Sequence, residues 1–238
     1  MFWHYITSPH LLVPLLPSPS SEKPNEEYAV VPFGHRCTSA IACKMAGLRQ
    51  FSLPFDWINS GYPRKLNNVM RHNFADFVPK EYQDNQEAVM NNYDILLAHV
   101  NKNRDEGVAQ YNRRIDRFRE VLQSDKLVIF ISIYEDYLYN QMHREEEYHN
   151  DVFQGLIETE QYFKRIRNSP CLFIHIDFVE RKVPKDSKIV QVVVKPDKLY
   201  DSFEESSYGG FREYCGQILH KIFDSTFSPY LDDTMFHD

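Results

Sequence analysis

Glycine, cysteine and positive charge are all scarce in this chain of 238 residues. It contains 8 glycines, less than half of the ~7% usual in globular proteins. Its four cysteines include no C-x-x-C pair, so they predict neither a disulfide framework nor a structural zinc site. They are Cys37, Cys43, Cys171 and Cys215. Free thiols are typical of a reducing compartment, which predicts a cytoplasmic location.

The charge balance argues against a nucleic-acid partner. Lysine and arginine number 27 against 34 aspartates and glutamates, which gives a net charge of −7. Proteins that bind nucleic acid through a broad surface are typically basic. Residues 1–16 are apolar, but they contain no lysine or arginine and are interrupted by Pro9 and Pro14. They therefore predict neither a signal peptide nor a membrane span.

Strand-like and helix-like segments alternate along the chain. Apolar runs predict strands at 28–33, 93–100, 127–133, 171–178 and 189–194. Amphipathic runs predict helices at 37–46, 64–72, 108–122, 148–167 and 210–223. This alternation favours an α/β fold with a layered, largely parallel sheet flanked by helices. Residues 26–225 are predicted to form a single domain.

The two ends of the chain read as extended arms. Residues 1–25 combine apolar side chains with five prolines, which exclude a long helix and break strand ladders. We expect this segment to lie in a groove, on its own domain or on a neighbouring chain, without forming a regular element. Residues 226–238 are acidic and aromatic. Both arms predict contacts with protein partners.

Cys37 is the first candidate for chemistry. Gly34 allows a tight turn after the first strand, and Cys37 follows near the start of a helix. Unpaired backbone N–H groups and the helix dipole favour a thiolate there, and the thiolate is the nucleophilic form. The other interpretation is a thiol packed as a small apolar side chain, which suits Cys43 better.

Two further segments carry candidate residues. Asp56 lies between Phe55 and Trp57, so it must be hydrogen-bonded if buried, either as a cap or as an orienting group for catalysis. Arg113 and Arg114 lie in a charged helix, where they form a solvated face or bind a carboxylate or phosphate. We expect one of them to pair with Asp56.

These segments together resemble an uncharacterised family described as putative papain-like cysteine peptidases, found in bacteria and large DNA viruses. The resemblance covers residues 29–134 and rests on the G-x-x-C turn, S-x-P-F-D-W and Y-x-R-R-I-x-R-F. It implies Cys37 as nucleophile and His99 as its base. It does not fix the orienting acid, for which Asp56 is our first choice and Asp136 the second. It also implies a papain-like α+β fold as the alternative architecture.

Two functions remain open from the sequence. The first is a structural or assembly protein on a peptidase scaffold, such as a minor capsid or virion component if the source is viral. The second is an active cysteine hydrolase acting on a peptide or acyl substrate, with Arg113, Arg114 and Trp57 binding the substrate or the loop. No cofactor is implied.

Other polar pairs receive structural interpretations. His143 and Glu147 share a helical face, but no cysteine or second histidine stands at helical spacing, so we predict a solvated charge run and no metal site. His175 and Asp177 alternate on one face of a strand. Such a pair is typical of a hydrogen bond within the core.

Overall fold

The computed structural model describes residues 5–6, 28–34, 36–60, 63–80, 82–134, 145–177, 180–194 and 208–227. The strands are β1 (Tyr5–Ile6), β2 (Tyr28–Pro32), β3 (Ile58–Asn59), β4 (Ala88–Met90), β5 (Leu96–Ala98), β6 (Leu127–Ile133), β7 (Cys171–Asp177) and β8 (Ile189–Val193). The helices are α1 (Thr38–Met45), α2 (Pro63–Arg71), α3 (Arg104–Gln123), α4 (Glu145–Ile166) and α5 (Tyr208–Phe227). The predicted strand at 127–133 has the observed bounds.

The main sheet has the strand order β1-β8-β7-β6-β2. Its strands β2, β6, β7 and β8 are parallel, and the two-residue β1 joins the outer edge of β8 in antiparallel orientation. The continuous apolar run of β6 is buried at every position, as a strand covered on both faces requires. The predicted α/β class is therefore confirmed, and the parallel strands favour it over the papain-like alternative.

Helices cover both faces of this sheet. One core cluster joins α1 and α5 to one face, and it includes Ile131, Ile174 and Phe223. The other cluster joins α2, α3 and α4 to the opposite face, and it includes Phe130 and Phe173. Because side chains alternate along each strand, neighbouring residues serve opposite faces of the sheet. Among the described helices, none is long and apolar enough to cross a membrane.

A second, smaller sheet has the order β3-β5-β4 and is antiparallel. Only β5 lies within a strand that the sequence predicts, because β3 and β4 have two and three residues and no sustained alternation. This sheet holds the segment of Trp57 close to that of His99, since the Ala98 N–H donates to the Trp57 carbonyl at 2.8 Å.

The N-terminal segment contains one regular element of its own domain. Tyr5 pairs with Val193 and Ile6 with Val192. The expectation that residues 1–25 form no such element is therefore wrong at these two positions. The physical reason is that the edge of β8 offers unpaired backbone groups. Neither Tyr5 nor Ile6 is a proline, so both can pair with that edge. The rest of this arm and residues 228–238 lie outside the described residues.

Candidate functional site

Cys37 lies at the start of α1, where the sequence placed it. It occupies the N-cap position with φ −62° and ψ −11°, and its side chain forms no capping hydrogen bond. The Arg212 guanidinium, from α5, donates from Nη2 to the Cys37 Sγ at 3.5 Å and from Nε to the Thr38 Oγ1 at 3.2 Å. A guanidinium beside a thiol at a helix start favours the thiolate. Cys37, Thr38 and Arg212 form what we call the thiol site.

Gly34 is required because its backbone lies too close to the Ser39 side chain to leave room for a Cβ atom. A Cβ at this position would lie 2.3 Å from the Ser39 Oγ and 2.9 Å from the Arg36 carbonyl oxygen. The same Ser39 Oγ accepts a hydrogen bond from the Ile133 N–H at 3.1 Å. The glycine turn therefore lets α1 begin against the carboxyl end of β6, which positions Cys37 at that edge of the sheet.

His99 directly follows β5 of the smaller sheet. It is exposed, has a φ of 53°, and its ring meets the Trp57 ring edge-on at a centroid distance of 5.6 Å. Within the described residues, no hydrogen bond joins His99 to Cys37. The structure thus brings His99 together with Trp57, while the described polar partners of Cys37 come from α5. The catalytic role of His99 stays a prediction.

Asp56 is fully buried and paired with an arginine, as its position between two aromatic residues predicts. The partner is Arg49, which donates from Nε to the Asp56 Oδ2 at 2.8 Å and places Nη2 at 2.7 Å from the same oxygen. The expectation that Arg113 or Arg114 would form this pair is wrong. Arg49 belongs to the same loop, seven residues before Asp56, so the pairing is local.

The buried charges around Asp56 do not fully compensate one another. Burial raises the pKa of the Asp56 carboxyl, and the Arg49 guanidinium opposes that rise without cancelling it. Burial also lowers the pKa of Arg114, whose guanidinium carbon lies 4.9 Å from the centre of the Tyr111 ring. Within the part of the chain that the structure describes, the Asp56 Oδ1 and Arg114 Nη1 atoms have no hydrogen-bond partner.

The two segments that carry the family resemblance converge in space. The Phe55 and Phe118 rings lie 5.4 Å apart in the core. On the surface, Arg117 donates to the Ser52 carbonyl at 3.4 Å. The Arg49 guanidinium bridges Ser52 and Trp57, because it donates to the Ser52 Oγ at 2.6 Å and lies 5.4 Å from the Trp57 ring centre. We name the exposed or half-buried side chains of this region the basic–aromatic patch: Phe51, Trp57, His99, Arg113 and Arg117.

A row of buried polar side chains lies near the carboxyl ends of the parallel strands, and the sequence gives little sign of it. Ser132, His175 and Gln191 occupy matching positions on β6, β7 and β8. The Ser132 Oγ lies 3.2 Å from His175 Nδ1, and His175 Nε2 lies 3.4 Å from the Asp177 Oδ2. All four side chains are buried. Only the alternation of His175 and Asp177 signals this row in the sequence, since register between strands is not readable there.

Asp177 differs from Asp56 in its partners. Arg181 donates from Nε to the Asp177 Oδ2 at 3.1 Å, and its backbone N–H donates to the Gln191 side chain at 2.9 Å. Burial alone raises the pKa of Asp177, but the His175 ring and the Arg181 guanidinium outweigh it and lower the value to about 2. Ligand sites of open α/β sheets lie outside the carboxyl ends of the strands, so the row and the thiol site occupy the edge where such sites occur.

The remaining candidate residues form no metal site in the described part of the chain. Among the described residues, no group of three histidines, cysteines or acids could hold a metal ion. Asp136 and His143 lie outside the described residues, as does the side chain of Glu147. Comparison with protein-family models, with curated proteins and with solved structures found no match for this chain.

Proposed function

We propose that this protein is an assembly protein, an α/β domain that joins protein chains through its surface and arms. The observation that carries the proposal is the position of His99. The base that the resemblance implies is exposed against Trp57, in the basic–aromatic patch, and forms no described hydrogen bond to Cys37. His99 and Trp57 contribute to an exposed surface, which supports a contact with a partner chain. Incorporation into a virion, the setting that the resemblance implies, is one form of such assembly.

The composition of the patch supports this proposal. Aromatic residues and arginine are enriched in protein–protein interfaces, where they carry much of the binding energy. Phe51 is 37% exposed although it is a large apolar side chain. Trp57 is half-buried and is held in place by Arg49. A rigidly held aromatic ring loses little conformational freedom when a partner packs on it.

The test is the association state of the full chain. We expect concentration-dependent self-association in sedimentation velocity, which Phe51→Ser weakens and Cys37→Ser leaves unchanged. Met90→Ser is the matched control, because Met90 is 55% exposed on β4 and lies outside the patch. Circular dichroism verifies that each variant is folded. A wild-type chain that stays monomeric up to high micromolar concentration would contradict the proposal.

The thiol site favours a second function, acyl transfer at Cys37. Its support is the Arg212 guanidinium beside the sulfur at the start of α1, which favours a thiolate without a histidine base. The thiolate would attack an acyl carbon, forming a C–S bond and releasing the leaving group with its electron pair. Water would then hydrolyse the thioester and return the thiolate.

A chromogenic ester tests the acyl-transfer function. With p-nitrophenyl acetate, we expect a burst of p-nitrophenolate equal to the amount of protein, together with an acetyl group on Cys37 detected by mass spectrometry. Cys37→Ser should abolish the burst, whereas Cys43→Ser should keep it because Cys43 is fully buried. A burst that survives in Cys37→Ser would remove this function from the thiol site.

A further inference from the structure

The two arginines of the basic–aromatic patch have no acidic partner in the described part of the chain. Arg113 is exposed and forms no described ion pair, and the described acceptor of Arg117 is the Ser52 carbonyl at 3.4 Å. They lie one helical turn apart on α3, so their charges reinforce each other. In a chain with a net charge of −7, these are two cations without a described ion pair, and Arg117 contacts the residue that follows the exposed Phe51.

Two other arginines of the same helix have acidic partners. Arg104 pairs with Asp105 at 2.9 Å, and Arg119 pairs with Asp116 at 3.0 Å. The contrast shows that the helix does not lack acids. The acid nearest to the patch in sequence, Asp116, is engaged by Arg119. The charge of Arg113 and Arg117 is therefore available to a group outside the described domain.

The sequence contains a segment of complementary chemistry. Residues 228–238 (SPYLDDTMFHD) contain three aspartates, two aromatic residues and no lysine or arginine. An acidic, aromatic peptide matches a basic, aromatic surface in both charge and apolar character. Complementary charge steers such an encounter and fixes its register more than it adds raw affinity.

We propose that the basic–aromatic patch binds the acidic tail, residues 228–238, of a second copy of this chain. Helix α5, from which the tail continues, packs with α1 on one face of the main sheet, whereas α3 packs on the other. The helix that precedes the tail and the helix that carries the patch thus lie on opposite faces of the main sheet. Such a head-to-tail contact is heterologous, and it builds rings or open filaments. The proposal rests on the assembly function and names its partner.

Charge reversal on each side, followed by mixing, tests this contact in the full chain. Arg113→Glu with Arg117→Glu should weaken self-association in low-salt sedimentation velocity by about tenfold or more. Asp232→Lys with Asp233→Lys should have the same effect. A mixture of the two variants should associate again, because the reversed tail meets the reversed patch. Arg113→Glu alone, at an exposed position, should give a smaller loss.

The control carries the same change of charge at other sites. Arg165→Glu with Lys221→Glu alters exposed positions of α4 and α5 and should leave association unchanged. Equal weakening by this control would mean a general charge effect and would overturn the docking proposal. Association that neither reversal changes, or that mixing fails to restore, would overturn it as well while the assembly function stands. A monomeric wild-type chain would overturn both.

Discussion

Asp56 and Asp177 are both buried carboxylates with an arginine beside them, but their pKa values move in opposite directions. Burial raises the pKa of Asp56. The pKa of Asp177 falls to about 2 because a histidine and an arginine together outweigh the same effect of burial. The two aspartates lie in different regions: Asp56 in the loop beneath the basic–aromatic patch, and Asp177 at the carboxyl edge of the parallel sheet.

The difference shows that an arginine pair need not compensate a carboxylate for the loss of water. Arg49 contacts the Asp56 Oδ2, the charge of Arg114 adds a smaller effect in the same direction, and Oδ1 has no hydrogen-bond partner among the described residues. Around Asp177, the His175 ring and the Arg181 guanidinium both face Oδ2. A buried charge costs free energy in proportion to what its partners leave uncompensated. The charge of Asp56 therefore lowers the stability of the fold, whereas the charge of Asp177 raises it.

Removal of the Asp56 side chain should have the largest effect on stability. Asp56→Ala leaves the Arg49 guanidinium, whose side chain is 14% exposed, without its anion. We expect the free energy of unfolding to fall by about 3–5 kcal/mol, the usual cost of breaking a buried pair on one side. Denaturant unfolding followed by circular dichroism measures it.

The conservative variant sharpens this result. Asp56→Asn keeps an acceptor oxygen for Arg49 and removes the charge that burial disfavours, so it should recover a substantial part of the loss. If Asp56→Ala unfolds at the same denaturant concentration as the wild-type chain, Asp56 is not the counterion that holds this loop.

Asp177 should stabilise the fold in its charged form, in contrast to Asp56. Its folded pKa, about 2, lies below the ~3.9 of an unfolded aspartate. The stabilisation is therefore fully present above pH ~3.9 and is lost as the pH falls towards 2. At about 1.4 kcal/mol per unit of pKa difference, it amounts to about 2–3 kcal/mol. Unfolding titrations between pH 7 and pH 2 should show this loss in the wild-type chain and not in Asp177→Asn.

Asp56→Asn is the comparison for this measurement. Because the folded pKa of Asp56 is raised, its contribution is present at low pH and is lost as the pH rises through the folded pKa. Asp56→Asn should remove a rise in the free energy of unfolding on acidification, whereas Asp177→Asn should remove a fall. Equal pH profiles for the two Asn variants would contradict the assignment of opposite environments.

The sequence predicted the layers of the fold better than the chemistry of either region. Long periodic segments such as 127–133 were readable because burial on both faces of a strand demands a continuous apolar run. The short strands β3 and β4 have no such pattern. The partner of Asp56 was predicted wrongly, because the resemblance favoured Arg113 or Arg114 while the local loop supplied Arg49. The Ser132, His175 and Gln191 row depends on the register of three strands, which forms only on folding.

Both regions also hold a cysteine, and their reactivities should differ. Cys43 is fully buried, and burial together with the nearby charge of Asp56 raises its pKa. Cys37 is half-buried beside Arg212 at a helix start. Pulsed alkylation of the native chain should therefore label Cys37 first, ahead of Cys171, whose pKa is raised by burial. Peptide mapping by mass spectrometry identifies the labelled sites.

The smallest expected effect is that of the guanidinium beside the thiol. Arg212→Gln removes the positive charge 3.5 Å from the Cys37 Sγ, and the thiolate fraction should fall. Because the thiolate is the reactive form, alkylation near neutral pH should slow by a small factor. Lys221→Gln, an exposed change on the same helix, should leave the rate unaltered. Cys37 and Cys171 labelled at equal rates in the wild-type chain would mean that Arg212 does not activate the thiol.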